Sequence, residues 1–204
     1  MKRKIKFKIP FYILLIALIS TFLFSVNSLN KKEDKKDEAR TLEESEISYP
    51  VINENNNIIY PYANESVKIG KSYYDYKAEE QKQEESLVIH DNTYYQNSGV
   101  DFVSKESFDV LAIANGTVAN VKEDNVTGKT VEIKHDNGLI SIYQSLSEVS
   151  VKKDDIISQS QIIGKSGSNE LDKDLGNHIH LEIYENGISV NPEMYLGKKY
   201  EKKN

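Results

Sequence analysis

Apolar and polar residues alternate with period two across three long stretches: VLAIANGTVANVKED (110–124), KTVEIKHDNGLISIYQSL (129–146) and HIHLEIYENGISV (178–190). Successive side chains of a strand point to opposite faces, so this period predicts strands with one buried face. The stretches contain Asn115-Gly116, Asn137-Gly138 and Asn186-Gly187, pairs that favour tight hairpin turns. Helical periodicity is weak throughout. The segment from Leu87 to Leu196 therefore predicts one mainly β domain, an antiparallel sheet of short strands. At roughly 110 residues such a domain needs no disulfide, and the chain has no cysteine to form one.

Upstream the texture differs. From Ile9 to Leu29 no residue is charged, a run long enough to cross a hydrocarbon core of about 30 Å. Lys2, Arg3, Lys4, Lys6 and Lys8 precede it, which predicts a cytoplasmic segment 1–8, a single transmembrane helix 9–29 and an exported remainder. A cleavable signal peptide is the competing reading, but no A-x-A-like site follows the apolar run. Residues 30–86 read as a charged stalk: KKEDKKDEARTLEESE is nearly all charge, and NENNN is a polar tract. Within that stalk, ISYPVI and IIYPYANESVKIGKSYYDY could form short extended pieces docked on a neighbouring domain. KAEEQKQEES reads as a solvated helix or linker, and residues 197–204 as a solvated tail.

Charge narrows the partners. The chain has 26 Lys+Arg and 32 Asp+Glu. Five of the basic residues precede the apolar run, so the remainder carries a net charge near −11. Such a surface repels phosphate backbones and argues against nucleic-acid binding. Without cysteine, any zinc site must use nitrogen and oxygen donors. Four histidines exist: His90, His135, His178 and His180.

His178 and His180 lie one residue apart in LGNHIHLEIYENGISVNP (175–192). On an alternating strand they share a face with Glu182 and Tyr184, while Ile179, Leu181 and Ile183 share the other. Taken alone, that is equally the pattern of a polar outer face. His135, in KHDNG, reads as a turn-flanking surface residue. His90 lies seven residues before Asn97, with no geometric reason to converge on the pair. GKSG (164–167) lacks the earlier glycine of a phosphate-binding loop, where Gln159 stands, and reads as a β-turn.

Five landmarks fall in order: SGVDF, VLAIANGTV, VEIKHDNGLISIYQSLS, VKKDDIISQSQIIGKSGS and GNHIHLEIYENGISVNPEMYL. On these, the segment 87–196 resembles the LytM-type domain of the lysostaphin family of zinc peptidoglycan endopeptidases. The resemblance implies a zinc bound by a histidine, an aspartate four residues later and the second histidine of a His-x-His pair. It also implies two further catalytic histidines. Asp101 and His180 match ligand positions, and His178 matches the first histidine of the pair. Asn97 stands where a ligand histidine is expected, and Ser145 where a catalytic histidine is expected. An amide oxygen is a weak zinc donor, and a serine hydroxyl does not titrate near neutrality. Without the ion no competent hydroxide forms near pH 7. The expectation is a degenerate, catalytically inactive domain with no bound cofactor, in which Asp101 and His180 are vestigial ligand positions and His178 a catalytic remnant. Two readings stay open beside it: an active zinc endopeptidase with a rearranged site, and a peptidoglycan-binding regulator of another hydrolase.

Anchor, charged stalk and degenerate domain together, with TYYQNSGVDF and IYQSLSEVSV, resemble a family of sporulation proteins of spore-forming Firmicutes. That resemblance implies an anchor in the forespore membrane and a domain in the intermembrane space. The partner it implies is a stage III sporulation membrane protein of the mother cell, bound during engulfment and channel assembly.

Overall fold

The computed structural model describes residues 57–200. The expected transmembrane segment 9–29 lies outside them. Among the described residues no helix is long and apolar enough to cross a membrane.

In chain order the strands are β1 (Asn57–Ile58), β2 (Lys68–Lys71), β3 (Leu87–His90), β4 (Thr93–Gln96), β5 (Val100–Val103), β6 (Asp109–Leu111) and β7 (Gly116–Asp124). There follow β8 (Gly128–His135), β9 (Leu139–Val149), β10 (Ile156–Ile157), β11 (Ile162–Ser166), β12 (His178–Glu185), β13 (Ile188–Val190) and β14 (Lys198–Lys199). One short helix, α1 (Glu80–Glu85), precedes β3. Ten strands form the main sheet, whose central path runs β10-β7-β8-β9-β12-β5-β2. β11 joins through β9 and β6, and β13 through β12. β3 and β4 make a separate hairpin, and β1 pairs with β14. The strand pairings are antiparallel, as the alternating pattern predicts.

β12 shows how the pattern becomes a core. Ile179, Leu181 and Ile183 are fully buried and join Val100, Phe102, Val131 and Ile133 in one cluster. Burying each such side chain stabilises the fold by roughly 1.5–3 kcal/mol. The opposite face carries His178, His180, Glu182 and Tyr184, which are thereby set side by side. Asn186 (φ 53°) and Gly187 (φ 79°) make the turn into β13, both in the left-handed region that Asn and Gly tolerate.

Three stretches behave differently from their reading in the sequence. Residues 57–86, grouped with the stalk, include the docked extended pieces that IIYPYANESVKIGKSYYDY suggested, as β1 pairs β14 and β2 forms the edge beside β5; ISYPVI (47–52) lies outside the described residues. Gly197–Tyr200, grouped with the tail, supply β14, and the Tyr200 hydroxyl donates to Glu185 at 2.7 Å. GKSG is not a turn, because Gly164, Lys165 and Ser166 belong to β11, paired to β9.

His135 also departs from expectation. It is 5% exposed rather than on the surface. Its Nδ1–H donates to Asn115 O at 3.0 Å, and the Ser141 hydroxyl donates to its Nε2 at 2.7 Å. The neighbouring Asp136-Asn137-Gly138 turn is polar, which masked an imidazole with both nitrogens satisfied inside.

Candidate functional site

The register between β12 and β5 places His180 opposite Asp101. His180 Nδ1–H donates to Asp101 Oδ1 at 2.9 Å. Asn97, four residues before Asp101 and just past β4, donates its amide Nδ2 to Asp101 Oδ2 at 2.9 Å and to Ser72 O at 3.0 Å. Both partners are acceptors, which fixes the amide with its N–H2 toward Asp101. Asn97 Oδ1 is left buried without a partner. The close approach of the segment before β5 requires Gly99, since a Cβ there would stand 2.3 Å from Leu181 O.

A catalytic zinc needs three protein donors with lone pairs turned to one point. Here the Asp101 oxygens accept from His180 and from Asn97, and Asn97 presents N–H rather than a lone pair. Asn97, Asp101 and His180 as arranged do not fit that ion.

His180 is held between two carboxylates. Its Nε2–H donates to Glu182 Oε1 at 3.3 Å. Glu182 also accepts from the Ser98 hydroxyl, and its Oε2 from Tyr184 OH at 2.9 Å. Burial alone would lower the His180 pKa, but the Asp101 charge and hydrogen bond, with those of Glu182, outweigh it and push it up to about 10. Burial alone would raise Glu182, but the hydrogen bond and charge of His180 hold it at about 2. The result is an imidazolium whose two N–H groups are both committed.

The other histidine of the pair is sequestered. His178 and Ser145 are both fully buried. His178 Nδ1–H donates to Gly176 O at 2.9 Å, so Nε2 is the acceptor for the Ser145 hydroxyl, also at 2.9 Å. Asn169 Nδ2 donates to Ser145 Oγ at 2.7 Å. Ser145 has φ 65°, an unfavourable backbone for a non-glycine residue. The structure thus brings together all five positions the sequence singled out, as two hydrogen-bonded groups: Asn97–Asp101–His180 and Ser145–His178.

Beside them lies a cavity of about 240 Å³. One wall comes from the β3–β4 hairpin and the residue after it (Val88, Tyr95, Asn97), the other from the loop before β12 (Asn169, Leu171, Asp172). Lys71 spans the two. Its ammonium donates to Leu87 O at 2.9 Å and pairs with Asp172. Sequence reasoning missed Lys71, Asn169 and Asp172, which no local pattern marks. Glu182 carried a signal, since the strand period put it on the histidine face. His90 is not among the cavity residues, as expected.

The chain has known relatives. Stage II sporulation protein Q of Bacillus subtilis (strain 168) is 38% identical over 176 residues, covering 84% of this chain and 59% of that protein. The solved SpoIIQ–SpoIIIAH pore-forming complex contains a chain 41% identical, matched over 70% of this chain and 92% of that one, with a TM-score of 0.68. The chain belongs to the stage II sporulation protein Q family. This chain spans somewhat less than two thirds of the full B. subtilis relative's length. Residues 95–192 match peptidase family M23. The catalytic domain of lysostaphin from Staphylococcus simulans, 24% identical with a TM-score of 0.50 over 64% of this chain and 92% of that one, shares the fold. The described domain therefore has the M23, LytM-type β fold.

Proposed function

We propose that this chain is a membrane-anchored, catalytically inactive LytM-domain protein of sporulation, which works by binding a stage III sporulation membrane protein. In this reading residues 1–8 stay in the cytoplasm, 9–29 cross the forespore membrane, and the stretch after them spaces the 87–196 domain into the intermembrane space. The partner sits in the mother-cell membrane, and the pair links two membranes during engulfment and channel assembly. The relatedness to a protein solved in complex with SpoIIIAH supports the partner.

One observation carries the inactive reading: the amide of Asn97 donates to Asp101 where a metal ligand would offer a lone pair. No step of hydrolysis is assigned to His178 either, because both its nitrogens are engaged and the ring is buried. Without an ion or a free base, the domain has no means to make a nucleophile from water near neutral pH. The test is zinc content and hydrolysis measured together on the purified exported chain, with a pull-down from sporulating cells. The reading expects substoichiometric zinc after dialysis, no cleavage of peptidoglycan sacculi and recovery of the stage III protein. Tightly held zinc that is lost in His180→Ala, together with sacculus cleavage, would replace it with the endopeptidase.

A further inference from the structure

We infer that the outward face of the β3–β4 hairpin, with the acidic helix α1 before it, is the docking surface for a basic protein partner. This rests on the partner reading above and locates the contact on the molecule.

The hairpin is built for display rather than for the core. It forms its own two-stranded sheet, apart from the ten-stranded one. Its register pairs Val88 with Tyr95 and Ile89 with Tyr94. Because successive side chains alternate, these pairs face opposite ways. Val88 is buried and holds the hairpin down, while Ile89 and Tyr94 are 59% and 67% exposed. An aliphatic and an aromatic residue directly opposed on a strand pair make a contiguous apolar spot, of the composition that anchors protein interfaces. The turn is fixed by Asp91 and Asn92, both at positive φ (48° and 59°), so the spot is presented on a defined ribbon.

Charge decides what covers it. Between Asp75 and Gln96 there are six carboxylates (Asp75, Glu79, Glu80, Glu84, Glu85, Asp91) against Lys77 and Lys82. Glu79, Glu80, Glu84 and Glu85 are exposed, and no lysine or arginine pairs with them among the described residues. The segment that runs into the hairpin is net acidic, complementary to a partner that carries lysine and arginine around an apolar centre. A second copy of this acidic chain, an anionic membrane or an anionic wall polymer would all be repelled. A basic protein surface is the occupant that fits both the spot and the acidic chain leading into it.

The test measures binding of the exported domain of the organism's stage III sporulation partner to the exported part of this chain, by titration calorimetry at two salt concentrations. Ile89→Lys with Tyr94→Glu should weaken binding at least tenfold while the melting temperature holds, because Val88 is untouched. Glu80→Lys with Glu84→Lys should weaken binding at low salt and flatten its salt dependence. Ile156→Lys, at the exposed β10 end of the sheet, should bind as the parent does. If the parent binds and both hairpin variants bind equally well, the surface assignment falls and the partner reading stands. If the parent itself fails to bind, both fall. Self-association of the parent, lost in Ile89→Lys/Tyr94→Glu, would assign the face to a second copy and overturn the inference.

Discussion

Asn97 donates an N–H to Asp101, four residues along the chain, at 2.9 Å. This bond closes a position that a nitrogen lone pair would hold open for a cation. Asn97→His removes the donor and puts an imidazole beside Asp101 and His180, supplying the missing type of ligand. Zinc titrated into Asn97→His should bind more tightly than to the parent. An unchanged affinity would show that position 97 does not correspond to the ligand histidine of the zinc peptidases.

Ser145 holds two atoms that no other group among the described residues satisfies, His178 Nε2 and Asn169 Nδ2. Ser145→Ala leaves a buried acceptor and a donor unmet, a cost of about 1–3 kcal/mol. It should also loosen the start of the 168–177 loop, where Asn169 ties it to β9. Urea unfolding reads the first effect. Faster amide exchange confined to 168–177 reads the second, and a uniform increase across the domain would contradict it.

Lys71 and Asp172 are 101 residues apart in the chain and only 13% and 12% exposed. Removing one member of such a pair leaves a charge stranded in poor solvent, so Lys71→Met should cost about 3 kcal/mol. Lys71→Met with Asp172→Leu should recover most of that loss, because the stranded charge is gone. A double variant as unstable as the sum of the single ones would mean that the two act independently.

The strand period read the sheet well because it is a local property: β7, β8, β9 and β12 each announce themselves through alternation and are punctuated by Asn-Gly. The pairing of Asp101 with His180 was legible only through the family landmarks, since it depends on the β5–β12 register. Lys71 and Asp172 gave no signal, because charged residues in a charge-rich segment look solvated until the tertiary fold brings a partner. Ser145 was read as a lost base, and its left-handed backbone and its bond to His178 are consequences of packing that no pattern encodes. His135 misled for the opposite reason, as a polar turn beside it hid a buried imidazole.

Stability should depend on pH through the two buried histidines, and in opposite directions. Burial lowers the His135 pKa from 6.5 to about 4, against the opposing effect of its bond to Asn115. Between those values the unfolded chain binds more protons, so this contribution is complete above pH 6.5 and disappears as pH falls through 4. It amounts to about 3 kcal/mol. Despite its burial, His180 is raised to about 10 by Asp101 and Glu182, so its contribution is complete below pH 6.5 and disappears as pH rises through 10. Glu182, held at about 2 through His180, adds a loss only as pH falls below 4.5 toward 2. The two histidine effects cross near pH 6.5, where urea midpoints should reach a broad maximum and fall on either side. His135→Gln, which cannot take up a proton, should flatten the limb between pH 6.5 and 4 and leave the alkaline limb in place. An acid limb that survives in this variant would trace the loss to other groups, and a flat profile up to pH 10 would mean that His180 is not the clamped imidazolium its two carboxylates require.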